Sequence, residues 1–537
     1  MPSREPSITD SNLKRSDSYS EVSRPKQSYA SHVAKEGKVG DAALAIIGEG
    51  SEQREITEEE DKRVLKKVDW WLMPVVLLVY FLQQLDKSSL SYTSVFGIVE
   101  ETGLVGTQYS WLTSIVYLAQ LVWQPISSYL LVKLPISKYL FVNVFMWGAV
   151  VACTAAAHEF KGLMATRFFL GLFEASVAPA FITITQMWWR RREQTVRLAM
   201  WMAMNGVTAM VGSLLSWGLG HIRGSLQPYQ TIFLFIGLLT VLCSPIVVLV
   251  LPDSPTKARF LTSDEKIVAL ERLRANNQGT ESKVWKWDHV LEVLLDVKTY
   301  LWFLLLFLCC VPSGGISAFG PLIIQGFGFN QFQTILFNIP FGFIQVLVTL
   351  VSALISTKVK LKWPVIFALT IPPIAGAAAL LKLGRGLEQR GALLACYYVA
   401  SPVILHRNIT NAVLLVCPKY RWTHEEALHN GYSVRSAIVG PLLYRTEDKP
   451  YYHRGLVANL VCWAALAGMT GVTAVYLKYL NRKHEATRLQ MGKVGKVIDR
   501  SLESYKAMDK GKEGEAKNEQ AFDDLTDLKN EDFIYVL

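Results

Sequence analysis

Apolar residues in this chain gather into long runs. A helix crossing roughly 30 Å of hydrocarbon takes about 20 mainly apolar residues, because only a helix or closed barrel satisfies its own backbone polar groups there. Six such runs fall at approximately residues 72–96, 109–131, 139–157, 163–187, 198–220 and 230–251. A polar stretch from Pro252 to Thr299 follows, and within it SDEKIVALERLRANN predicts an amphipathic helix capped by Ser263. Apolar runs resume at about 300–324, 332–357, 363–381, 391–405 and 456–477. The pattern predicts an all-α, polytopic membrane protein with eleven clear spans.

Loop charge orients these spans. Lys133 and Lys138, then Arg190, Arg191, Arg192 and Arg197, then Lys358, Lys360 and Lys362 mark alternate loops as cytoplasmic. The loops near Glu100 and Glu101 and at Gln325 to Gln331 lack basic residues, whereas Lys382, Arg385 and Arg390 dissent. The amino terminus is expected inside. Lys478, Arg482, Lys483 and Arg488 place the carboxyl terminus inside too, so the crossings must be even in number and one more is required between about 408 and 444. That stretch holds Arg421, His424, Glu425, Glu426, His429 and Arg435. A charge at mid-bilayer costs about 2.5–3.5 kcal/mol on insertion scales, so the segment would not insert unaided.

Composition supports the membrane reading. Only 19% of residues are charged, against about 25% in an ordinary globular chain. The mean hydropathy is +0.24. The net charge of +10 follows from basic loops flanking spans, and no nucleic-acid partner is expected. The seven cysteines mostly lie in apolar runs without metal-ligand spacing, so neither a metal nor a disulfide framework is expected. No P-loop, nucleophile elbow or HExxH pattern is present, so neither an enzyme nor a cofactor is expected.

Ionisable residues inside spans are costly and point to function. Asp86 and Lys87 interrupt the first span. Arg167 and Glu174 lie seven apart in the fourth, hence on one helix face. Tyr109, Gln120 and Gln124 in the second span, Asn205 in the fifth, and Asn338 and Gln345 in the eighth can complete a polar cavity or join helices by hydrogen bonds. Gly314 and Gly315, after Pro312, suggest a helix break and gating point in the seventh span; close helix packing is the alternative.

Six spans, a polar loop and nominally six more is the layout of the major facilitator superfamily. LDKSSLSYTSVFGI in the first span, WQPISSYLLVKLPISKYL between the second and third, and RFFLGLFEASVAPAF in the fourth sharpen it. GGISAFGPLIIQGFGFNQFQTILFNIPFG and YYHRGLVANL continue the match. Together they resemble the fungal allantoate permease family, among the anion:cation symporters. The resemblance covers roughly residues 65–405 and 438–485. It implies two six-helix bundles, 71–251 and 300–480, joined by a cytoplasmic loop, 252–299, with a disordered cytoplasmic tail at 1–70 and a second cytoplasmic tail at 481–537. Within the second bundle, 406–437 departs from the family's pattern as a misread splice site or frameshift would make it, leaving the eleventh helix in question.

The resemblance further implies proton-coupled uptake of a small carboxylate, such as allantoate, ureidosuccinate or nicotinate, across the plasma membrane. Arg167 would then be the anion ligand, assisted by Lys87, Tyr109, Gln124, Asn205 and Asn338, while Glu174 and Asp86 carry protons. Two other readings remain at this stage: a non-transporting sensor, and an inactive permease-like product lacking one helix.

Overall fold

The computed structural model describes residues 57–274, 295–359, 363–384, 386–400 and 438–491. Residues 1–56, 275–294, 401–437 and 492–537 lie outside the described residues, and with them the atypical segment 406–437. Among the described residues every regular element is helical. Among the described residues, nine helices or helix pairs are long and apolar enough to cross a bilayer.

The first helix, α1 (Glu58–Val95), starts inside the stretch expected to be a tail. Its start is set by a capping box, in which the Thr57 side chain accepts from the Glu60 amide while the Glu60 carboxylate accepts from the Thr57 amide. After the short α2 (Ile98–Glu101) come α3 (Gln108–Lys133) and α4 (Ile136–Thr154). The fourth span is two helices, α5 (Phe160–Glu174) and α6 (Val177–Trp188). Pro179 accounts for the interruption, since its ring cannot donate to the Ala175 carbonyl. The break therefore falls directly after Glu174. Next are α7 (Arg191–Leu219), α8 (Pro228–Cys243) and α9 (Pro245–Val250), the last two divided at Pro245.

The polar loop holds α10 (Ser263–Arg274). Its cap is Thr262 rather than the expected Ser263: the Thr262 hydroxyl accepts from the Glu265 amide at 3.4 Å, and the Glu265 carboxylate accepts from the Thr262 amide at 3.1 Å. In the second half, α11 (Val297–Gln325) runs unbroken through Pro312, Gly314 and Gly315, so the break expected there is absent. A Cβ on Gly315 would meet the Tyr444 ring at 2.5 Å, which makes close packing the reason for the glycine. The half continues with α12 (Gln331–Leu336), α13 (Asn338–Val359), α14 (Trp363–Lys382), α15 (Arg390–Ala400), a helical stretch at 438–442, and α16 (His453–Gln490). The last helix extends well past the expected boundary at 480.

The halves meet most closely where α7 crosses α13. A Cβ on Gly206 would lie 2.4 Å from the Gly342 carbonyl oxygen, and one on Gly342 would lie 2.5 Å from that of Gly206. Only paired glycines permit this approach. Gly206→Leu or Gly342→Leu is expected to lower the thermal unfolding midpoint of the purified protein, because overpacking costs about 1–3 kcal/mol or more where backbone cannot yield. An unchanged midpoint would contradict the observed crossing.

At the end of the bundle carrying the basic residues of α7, charges interlock. Arg272 of α10 donates to both carboxylate oxygens of Glu193 at 3.1 Å and pairs with Asp61 of α1. Asp61 also pairs with Arg190 at 3.1 Å. Arg197 and the Trp189 indole both donate to Asp69. Arg272→Ala strands two acidic side chains around a buried vacancy, and breaking a buried pair costs about 3–5 kcal/mol. Faster limited proteolysis of the polar loop is the expected result; an unchanged digestion rate would mean that Arg272 does not hold α10. Burial pushes the nearby Glu265 carboxyl up, but Lys67 and the Thr262 groups together hold it below the usual carboxylate range. That depression contributes stability above the ordinary carboxylate range, lost as pH falls through the folded value.

Candidate functional site

The four intramembrane charges come from α1 and α5, which bring them to one region at the middle of the first half. Lys87 and Arg167 both line a small cavity of about 30 Å³, together with Ser91 of α1 and Tyr109, Thr113 and Tyr117 of α3. Ser317 and Ala318 of α11 bound it from the other half. The side chains around the two cations are hydroxyls and aliphatic groups, so a guest meets cations and neutral donors first.

Arg167 is buried, and its Nε and Nη2 have no hydrogen-bond partner. Its guanidinium lies over the Phe233 ring, 5.1 Å from the centroid, an attraction of about 0.5–2 kcal/mol that orients the group without using its donors. Buried polar groups are almost always hydrogen-bonded, and an orphaned charged donor is expensive. Beside the cavity these donors are placed where an acceptor can reach them.

Lys87 has a partner. Its Nζ lies 3.4 Å from Glu174 Oε2, and Gln120 Nε2 donates to that same oxygen at 3.0 Å. Glu174 Oε1 has no partner. The lysine side chain keeps 21% of its exposure whereas the glutamate has none, so the cation faces the cavity and the carboxylate stands behind it. Gln120 holds the pair from α3.

Asp86 turns the other way. Fully buried, it does not line the cavity, but accepts from the Trp147 indole of α4 and from Thr240 Oγ1 of α8, the latter at 3.4 Å. Its Oδ1 is without a partner. Each buried carboxylate thus presents one occupied and one bare oxygen.

Of the remaining residues expected at the site, Tyr109 lines the cavity and also closes it, donating its hydroxyl to the Ala318 carbonyl at 3.0 Å. Ser110 and Ser114 of α3 likewise donate to the carbonyls of Tyr444 and Ile438 at 3.0 and 2.9 Å. The Phe319 ring, stacked on Tyr444, completes this closure against Tyr109. Gln124 is buried but is not among the cavity's lining residues. Asn205 is engaged with Tyr80 at 3.1 Å and the Met202 carbonyl at 2.8 Å, and Asn338 donates to carbonyls of the preceding turn. These asparagines tie helices and helix turns together, the alternative that their polarity always allowed. Gly314 and Gly315 lie in unbroken helix. Trp147 and Thr240 were not expected at the site; the only hint in the sequence is that a buried indole N–H needs an acceptor.

Comparison with known proteins agrees with this architecture. The profile of the Major Facilitator Superfamily matches residues 76–405. An uncharacterized transporter of Schizosaccharomyces pombe is 35% identical over 92% of this chain and 89% of its own length. The allantoate permease of Saccharomyces cerevisiae is 28% identical over 91% of this chain and 89% of its own. Among solved structures, the proton:xylose symporter XylE bound to 6-bromo-6-deoxy-D-glucose superposes with a TM-score of 0.58 at 12% identity, covering 78% of this chain and 96% of that one, a likeness of fold. The chain belongs to the major facilitator superfamily and is a multi-pass membrane protein of the transporter class, not an enzyme.

Proposed function

We propose that this protein is a secondary active transporter that takes up a small organic monoanion together with a proton by alternating access. The observation that carries the reading is the Arg167 guanidinium, buried beside the cavity with two donor nitrogens, Nε and Nη2, that nothing satisfies. A carboxylate supplies what those donors lack, and the hydroxyls of Ser91, Thr113 and Tyr117 suit a polar small molecule around it. The resemblance to the allantoate permease supports allantoate; ureidosuccinate and nicotinate are small carboxylates that the same donors could take.

Proton coupling follows from the neighbouring pair. With the cavity empty, Lys87 neutralises Glu174 across 3.4 Å. An arriving carboxylate that pairs with Arg167 also draws Lys87 toward itself, since that lysine is the one cavity-facing member of the pair. Glu174, deprived of its counter-charge in a nonpolar interior, becomes costly as an anion and takes up a proton. Lys87 and Arg167 balance Glu174 and the ionised Asp86; an anion alone would leave this group of charges negative, the accompanying proton restores neutrality, and the halves can move past it. Tyr109, Ser110 and Ser114 then form or release their bonds to the carbonyls of the second half. The basic end of the bundle, with Arg190, Arg197 and Arg272, faces the cytoplasm in this account, and the membrane is the plasma membrane.

Uptake of radiolabelled allantoate, ureidosuccinate and nicotinate into cells expressing the full chain tests the reading. Accumulation of at least one above its external concentration, abolished by a protonophore, is expected. Accumulation insensitive to the protonophore, or uptake of none, would contradict it.

A further inference from the structure

The carboxyl of Asp86 sits outside the cavity, held by α4 and α8 rather than by the cavity-lining cations. From the structure we infer that Trp147 is a positioning residue for proton binding: its indole N–H sets how readily Asp86 takes a proton, from a seam of helices behind the substrate cavity. The inference rests on the reading of Asp86 as a proton carrier.

Three observations support it. First, an indole N–H can donate but never accept, so the short contact from Trp147 Nε1 always serves an acceptor oxygen, here Asp86 Oδ2. It favours the ionised carboxylate, or holds Oδ2 as the acceptor oxygen of the neutral acid. The added proton is thereby directed to Oδ1, which has no partner. Second, the other contact is reversible in sense. Thr240 Oγ1 lies 3.4 Å from Asp86 Oδ2 and 3.1 Å from the Ile236 carbonyl of its own helix. One hydroxyl hydrogen serves either acceptor, so Thr240 can turn to Asp86 when the carboxylate is charged and to Ile236 when it is not, while Trp147 has no such choice.

Third, the frame is rigid. A Cβ on Gly148, next to Trp147, would lie 2.9 Å from the Val241 amide nitrogen and 3.0 Å from Thr240 Cβ. A Cβ on Gly237 would lie 2.3 Å from the Ala152 amide nitrogen. The α4 and α8 backbones are locked together at the two residues that hold the carboxyl. Trp147 itself is fully buried. The charges acting on Asp86 are Glu174 and Arg167 of α5, with Lys87 adjacent on α1; α4 and α8 contribute only neutral donors to its carboxyl. Protonation of Asp86 is therefore sensitive to two things, the charge state of the cavity and the indole donor.

Infrared pH titration of the purified full chain in lipid nanodiscs tests this without knowledge of the substrate. The carbonyl stretch of protonated Asp86 is the band lost in Asp86→Asn, recorded in the Glu174→Gln background to remove the second carboxyl. Trp147→Phe removes a donor that favours the anion and is expected to move the midpoint of that band to higher pH by about one unit or more. Thr240→Val, a smaller change of volume, is expected to move it the same way by less and guards against a Trp147 variant that does not fold. A midpoint unmoved in both variants would overturn the role of the seam, leaving Trp147 as packing. A spectrum with no band dependent on Asp86 at any accessible pH would overturn the reading of Asp86 itself, and with it this inference. The two failures are read from different samples.

Discussion

Glu174→Gln is expected to reduce the accumulation ratio of the transported anion to one while exchange of internal for external substrate continues. The amide keeps the hydrogen-bonding shape that Gln120 addresses from α3, at 3.0 Å in the native protein, so the local packing survives. What it loses is the ability to change charge. Lys87, paired with Glu174 at 3.4 Å, is left as a standing cation facing the cavity, which attracts the anion but no longer releases a proton acceptor when the anion binds. Counterflow requires binding and reorientation without net proton movement and so persists. Counterflow and accumulation assays on the same membranes check this; loss of both at normal surface expression would remove Glu174 from the proton pathway.

Arg167→Gln is expected to weaken uptake about 10–100-fold at low substrate concentration, the loss of a charge-assisted interaction worth about 1.5–3 kcal/mol. Because Nε and Nη2 make no bonds within the protein, the substitution breaks no hydrogen bond on those atoms and the protein should still reach the surface. Arg167→Lys keeps the charge but not the planar fork, and is expected to recover only part of the loss. Concentration-dependent uptake distinguishes the cases: the effect belongs in KM, whereas an equal fall in maximal rate with unaltered KM would make Arg167 a structural residue.

Much of the fold was legible because a membrane imposes a coarse rule that apolar run length satisfies. The six runs of the first half correspond to α1 through α9, and Arg167 and Glu174 share the region that their spacing implied. Local chemistry decided the misses. Thr262 rather than Ser263 caps α10, and the signal was present: Glu265 stands three residues after Thr262, whereas Lys266 follows Ser263 at that distance. The break expected at Gly314 and Gly315 is absent even though Pro312 precedes them, whereas the fourth span is interrupted just before Pro179; a proline removes one backbone donor without always ending a helix, so its presence did not tell which span would break.

The partners of Asp86 were not legible for a different reason. Trp147 and Thr240 lie in apolar runs far from Asp86 along the chain, and only the packing of α4 on α8 brings both to one carboxylate oxygen. Asn205 and Asn338 show the converse. Their polarity made them candidates for a cavity, but each is consumed by neighbours within about one helical turn or on α1. A polar residue in a span announces only that a partner exists.

The account stands on joint binding of proton and anion, which proton movement tests most directly. The purified full chain is reconstituted into proteoliposomes enclosing a pH-sensitive dye, and the external substrate anion is added in the absence of any imposed gradient. Internal acidification that begins with substrate addition and is absent in Glu174→Gln is the predicted result. Substrate entry with an unchanged internal pH would contradict it.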